Sequence, residues 1–323
     1  MDFKTIIQNT VYIITGVLLA CIVGEIIVRI GSYNQENYVV EMWRYAKLLK
    51  QPSKNQNVGH EHIPSSHARL QNVDIYINSY GMRGPKPNLS AKHRVVIIGD
   101  SMAFGWGTED SDCLRGQLDA ALPDDYDVIN AGIGNMNLFQ SVSLWQDLRK
   151  RIDADTLVVV TTQRATARRA ETHTGFFVRN SQLIALASTM VTQLVSGEYG
   201  HDALVDGYRK QWLSPGGEAI LTDAFRELKR EQVENGKHII ILCVPETHDL
   251  NNYRFDFITQ KIQEHSKMNG FTFVDALPLL QGHSTDTLWV CARDIHLNGT
   301  AFGFITEALV PIIANHYQDS VDE

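Results

Sequence analysis

The chain has 323 residues, enough for one large globular domain with segments to spare. Apolar residues make up 44% and charged ones 20%, a globular balance that excludes intrinsic disorder. The formal net charge of -8 argues against a general nucleic-acid binder, because phosphate contacts need a basic surface.

Thr5 to Gly24 carries no charge and is apolar from Val11 onward. At about 1.5 Å rise per residue, such a run just spans a hydrocarbon core of about 30 Å. Glu25 and Arg29 follow at i,i+4 spacing and can pair on one helix face at the membrane boundary. A cleaved signal peptide needs a small-x-small site, and the stretch Ala20–Arg29 offers no good one. A buried soluble helix is the other alternative. We read residues 1–30 as an uncleaved single-pass membrane anchor. Its flanking charges are ambiguous: Lys4 is the sole basic side chain before the run, whereas Arg29, Arg44, Lys47, Lys50 and Lys54 follow it. Taken literally, the positive-inside rule puts the main domain in the cytoplasm.

Residues 31–90 read as a connecting region, polar, with Pro52, Pro64, Pro85 and Pro87 and a short helix around Tyr38–Leu49. From residue 91 to 323 the texture is that of a folded domain. Val95–Ile98 is a continuous apolar run of the kind found in strands buried on both faces. Similar runs lie at Asp127–Asn130, Thr156–Thr162, His238–Val244 and Phe271–Val274. Helical patterns fall between them at Leu114–Leu122, Phe139–Ile152, Glu218–Glu234 and Phe255–Asn269, with a last helix near Thr300–His316. Alternating strands and helices predict a mostly parallel, doubly wound sheet. The stretch 171–215 exceeds a normal crossover and predicts an inserted helical segment over one end of the sheet. The four cysteines are too scattered for a disulfide framework or a metal set, although Cys113 and Cys291 could pair if the fold joined them.

In such sheets chemistry sits at the carboxyl ends of the strands. After the first run comes Gly99-Asp100-Ser101, a serine on a tight strand-to-helix turn whose own N–H lies at a helix start. After the second comes Asn130-Ala131-Gly132-Ile133-Gly134-Asn135, whose glycines let backbone approach a ligand. Near the end of the chain, Asp294-Ile295-His296 places an acid two residues before a histidine on a predicted loop. That spacing can hold the imidazole by Nδ1 while Nε2 faces a serine. Gly-Asp-Ser alone is also a helix cap, and Asp294 alone could cap the next segment. The twelve histidines are mostly surface or core residues, with His248 and His283 read as incidental. Arg164, Arg168 and Arg169 form either an anion-binding group or a solvated helix face.

As an ordered set, these three blocks resemble the GDSL/SGNH hydrolase family over residues 94–316. The segment Ile77-Asn78-Ser79-Tyr80-Gly81-Met82-Arg83-Gly84 and Gly105-Trp106-Gly107 are similar to a bacterial branch with an N-terminal membrane helix. The resemblance implies a three-layer α/β/α sandwich, with Ser101 as nucleophile, His296 as base and Asp294 as its orienting acid. It implies an acyl-enzyme and action on esters, commonly acyl groups on sugars, lipids or polysaccharides. It also implies a periplasmic catalytic domain, against the local charge count, and no metal or organic cofactor. A membrane-bound acyltransferase is an expected partner.

Two departures bear on the oxyanion site. An ungapped match puts Asn135 where the family has its oxyanion glycine, with Gly134 just before, and the backbone N–H of either can serve. In the third block, Thr161-Thr162-Gln163-Arg164 replaces the expected Gly-x-Asn-Asp, leaving Gln163 or Arg164 to replace an asparagine amide. Asp-x-His in place of the commoner Asp-x-x-His is similar to proteins of exopolysaccharide O-acetylation. These features predict a serine esterase or O-acyltransferase acting on acyl, chiefly acetyl, esters of carbohydrates. Two alternatives remain: a catalytically weak, anchored binding or assembly subunit of polysaccharide modification, and a lipid esterase or thioesterase.

Overall fold

The computed structural model describes residues 2–31, 38–169, 178, 180–196 and 200–319. Its first element, α1 (Phe3–Gly31), buries none of its residues and is long and apolar enough to cross a membrane. Next come α2 (Tyr38–Leu48) and two antiparallel hairpins, β1 (Lys50–Pro52) with β2 (His60–His62) and β3 (His67–Leu70) with β4 (Val73–Tyr76). Gln71 and Asn72 turn the second hairpin with φ of 50° and 62°, as a tight two-residue hairpin loop requires.

Residues 38–90 connect by position, but they are folded onto the domain. Tyr45, Leu49, Leu70, Ile75 and Ile77 form a buried cluster with Phe104 and Trp106, just beyond the serine turn. The polarity of this stretch hid its apolar face, because its strands bury only alternate residues.

The predicted apolar runs are the strands of one sheet: β5 (His93–Ile98), β6 (Tyr126–Asn130), β7 (Thr156–Thr161), β8 (His238–Cys243) and β9 (Thr272–Asp275). Their order is β6-β5-β7-β8-β9, and every neighbouring pair is parallel. Val96 and Ile98 face one helical layer, formed by α5 (Leu138–Leu148), α8 (Pro215–Asn235) and α9 (Asp256–Asn269). Val95 and Ile97 face the other, with α4 (Leu114–Ala121), α10 (Leu277–Leu280) and α11 (Gly299–Asp319). Both faces are therefore core, which is why these runs do not alternate. Each such side chain contributes about 1.5–3 kcal/mol by leaving water. The result is a three-layer α/β/α sandwich, as predicted.

The order reverses direction between β5 and β7, and the crevice there is where doubly wound sheets hold ligands. In chain order, α3 (Ser101–Phe104) follows β5, and two helices of the inserted stretch, α6 (Gln182–Ser196) and α7 (His201–Trp212), follow β7. The rest of that insertion, 171–177 with 179 and 197–199, lies outside the described residues. Asp294-Ile295-His296, expected on a loop, lies instead in a short strand, β11 (Asp294–Leu297), paired antiparallel with β10 (Trp289–Cys291). All four cysteines are free, so Cys113 and Cys291 do not pair.

Candidate active site

Ser101 opens α3 directly after β5. Asp100 caps this short helix, its Oδ1 accepting from the Met102 N–H at 2.9 Å. Thr162, the residue just after β7, donates its hydroxyl to Asp100 Oδ2 at 2.6 Å, so both carboxylate oxygens are engaged in fixing the turn. The turn leaves no room for side chains. A Cβ on Gly132 would lie 2.4 Å from the Phe104 nitrogen, and one on Gly99 2.8 Å from the Val160 carbonyl oxygen. As the first N–H of α3, that of Ser101 has no intrahelical partner and is available to a ligand.

The structure brings together the three residues that the sequence reading singles out. Ser101 Oγ lies 2.8 Å from His296 Nε2, and His296 Nδ1 lies 2.5 Å from Asp294 Oδ1. With Nδ1–H donating to the carboxylate, Nε2 is left to accept the serine proton. All three side chains are buried. The other oxygen of Asp294 accepts from Gln71 Nε2 at 2.5 Å and from the Trp106 indole N–H at 2.8 Å. Burial alone would raise the Asp294 carboxyl, but hydrogen bonds from His296 and Gln71 hold it below the usual carboxylate range. Tyr38 covers the imidazole, with ring centroids 5.5 Å apart.

Gln71 and Trp106 were missed as holders of Asp294. Trp106 stands in the Gly105-Trp106-Gly107 block, which marked it but gave it no role. Gln71 carried no signal, since it reaches the acid from a hairpin turn 223 residues away. Arg83, from the upstream block, is almost fully buried and donates to the carbonyls of Phe104, Gly105 and Thr108, clamping the chain that follows the serine.

The expected oxyanion residues are only partly assembled. The Gly134 N–H, a predicted donor, is already committed to Tyr45 Oη at 3.0 Å. Its carbonyl accepts from Lys50 Nζ at 3.1 Å and lies 3.2 Å from His60 Nε2. Gly134 is thus a structural anchor held from residues 38–62, and that part of the oxyanion expectation is corrected. Asn135, in the left-handed region with φ of 69°, points its Oδ1 to Arg164 Nη2 at 2.6 Å. Gln163 and Arg164 do line the cavity above Ser101, whereas Gly134 and Asn135 do not. Burial drives Lys50 down to about 7, His60 to about 4 and His62 to about 3.

The cavity holds about 290 Å³, and the polar side chains among its walls include Thr162, Arg164, Tyr208, His248 and Arg293. Tyr208 comes from α7, and Trp212 of the same helix donates its indole N–H to the Gln163 carbonyl at 2.8 Å. The insertion therefore shapes the site, as a covering segment should. Arg168 and Arg169 are exposed and lie outside this lining, so of the arginine cluster Arg164 alone enters it. His283 stacks on Phe304, with centroids 4.3 Å apart, and does not line it either.

Fold and site together define an α/β/α sandwich with a buried serine, histidine and aspartate in hydrogen-bonded series at the sheet's carboxyl edge. No family profile and no curated protein matches the chain. Among solved structures it is similar to a carbohydrate acetylesterase from Sinorhizobium meliloti at 12% identity and TM-score 0.44, over 69% of this chain and 99% of that one. It is also similar to an alpha/beta hydrolase enzyme from the metagenome of Lake Arreo, Spain, at 14% identity and TM-score 0.44, covering 70% and 96%. A member of the lipolytic protein G-D-S-L family from Veillonella parvula is similar at 10% identity and TM-score 0.40, covering 67% and 94%.

Proposed function

We propose that the chain is a serine-dependent esterase or O-acyltransferase acting on short acyl esters of carbohydrates or cell-envelope polysaccharides. The carrying observation is the unbroken series from Ser101 Oγ through the His296 imidazole to Asp294, opening into one cavity. His296 takes the Ser101 proton as the oxygen attacks the ester carbonyl, and Asp294 stabilises the imidazolium that forms. The Ser101 N–H and the Gln163 side-chain amide face the developing oxyanion. The imidazolium then returns its proton to the leaving alcohol, leaving an acyl-serine. Water, or a sugar hydroxyl, next gives its proton to His296 and takes the acyl group, and the imidazolium passes that proton to the departing Ser101 Oγ. The reaction uses the chain's own groups throughout.

The cavity supports the substrate class. About 290 Å³ lies at the small end of ligand pockets, and walls of Arg164, Arg293, Tyr208 and Thr162 suit a hydroxylated or acidic acceptor better than a long acyl chain. The small volume disfavours the lipid esterase reading. The loss of the Gly134 donor favours, as the alternative, a weakly catalytic binding subunit. In our reading α1 anchors the chain in the membrane, the catalytic domain faces the periplasm, and a membrane-bound acyltransferase supplies or receives the acyl group. Turnover of 4-nitrophenyl acetate by the wild type and by His296→Ala tests the enzyme. Loss of activity by about 10³-fold or more supports it, and equal rates in both proteins select the binding role.

A further inference from the structure

A second cluster of chemically able side chains lies at the edge of the cavity, outside the serine series. His201, the first residue of α7, faces Glu246 and His248 on the loop after β8. One ligand atom from each lies within 4.8 Å of the others. Glu246 is buried at 2% exposure, and its carboxylate contacts the His248 ring at Nδ1 and the His248 backbone N–H at 3.1 Å. His201 Nε2 is buried and has no hydrogen-bond partner, and the His201 ring stands 6.2 Å, centroid to centroid, from that of His248.

We propose that His201, Glu246 and His248 bind a divalent transition-metal ion of the zinc class. Two imidazoles and one carboxylate are a ligand set that zinc takes, at about 2.0–2.2 Å from each donor. Ligand atoms around a tetrahedral ion stand about 3.4 Å apart, so His201 has to draw in while the hydrogen-bonded Glu246–His248 pair opens. The His248 side chain is 44% exposed and free to make that adjustment. The ion takes the place of the proton between Glu246 and His248 and gives the His201 ring a partner in the same step. The three residues come from two separate parts of the chain, α7 of the insertion and the core loop after β8. The metal would therefore staple the insertion to the sheet beside Tyr208, and three protein ligands leave one coordination position open. His248 also lines the cavity, which places the ion at its wall. This proposal does not depend on the role of Ser101.

The test uses the full chain in detergent, stripped with EDTA and titrated calorimetrically with zinc chloride. One zinc per chain is expected, with a zinc-dependent rise in melting temperature. His201→Ala and Glu246→Gln should each weaken binding by more than about 10-fold, the least that losing even an outer-shell partner costs. His67→Ala, at an exposed histidine on β3, should leave binding unchanged. Should His201→Ala fail to fold, Glu246→Gln, which keeps the side-chain size, and cobalt(II) absorption of the wild type decide the matter. Absence of saturable one-to-one binding overturns the proposal, as does wild-type zinc affinity in both cluster variants.

Discussion

Tyr45→Phe removes one oxygen from a fully buried ring and tests how the strand-end loop is held. The Gly134 N–H donates to Tyr45 Oη at 3.0 Å. The Tyr45 hydroxyl stands 2.7 Å from His62 Nε2, and His62 Nδ1 stands 3.1 Å from the Gly81 carbonyl. That geometry fixes the directions: Nδ1–H donates to Gly81, so Nε2 accepts from the tyrosine. Phenylalanine keeps the packing against Phe104 and Trp106, whose rings lie 5.1 and 5.5 Å away. It strands two buried polar groups, the Gly134 N–H and His62 Nε2, at about 1–3 kcal/mol each. The summed loss of about 2–6 kcal/mol lowers the melting temperature by at least about 4 °C, at the 2 °C per kcal/mol expected for a large domain. Thermal unfolding of the detergent-solubilised chain, followed by circular dichroism, measures this. A shift below about 1 °C would show that the chain of hydrogen bonds does not hold the loop.

Acid should destabilise the fold in a defined window. His60 and His62 are kept neutral by burial, with values near 4 and 3, so below about pH 6.5 the unfolded chain takes up protons that the folded one refuses. Stability from these residues is whole above that pH and falls by about 1.4 kcal/mol per pH unit per histidine as pH drops toward their folded values. Asp294, held below the carboxylate range, adds a loss of the same sign at lower pH. Lys50, lowered to about 7, makes stability rise further between pH 7 and about 10. Melting temperatures that do not change between pH 7 and 5 would contradict these assignments. For the oxyanion, Gln163→Ala should lower kcat by about 10²-fold with little change in KM, as loss of one donor does. An unchanged kcat would leave the Ser101 N–H without help from that side chain.

Much of this site was legible because its parts sit where strands end. Val95–Ile98 reads as a strand buried on both faces, and the next apolar runs fall in turn, so Ser101 and the third block land at one edge. Asp294 and His296 are two residues apart, and their mutual contact follows from spacing alone. The fate of Gly134 was not legible. Its N–H is taken by Tyr45, 89 residues upstream, on a helix whose sequence gives no sign of where its hydroxyl points. The polar stretch at 38–90 likewise reads as a connection, because hairpins that bury alternate residues leave charged ones on view. Gln71 and Trp106 became visible only when the fold carried them to Asp294.

The central claim is that Ser101 is a nucleophile activated by His296. A fluorophosphonate probe reacts with such a serine, so the wild-type chain should be labelled at one site, mapped by peptide mass spectrometry to Ser101. Labelling should vanish in Ser101→Ala and fall sharply in His296→Ala. Undiminished labelling of Ser101→Ala, or a modified peptide that does not contain Ser101, would contradict the account.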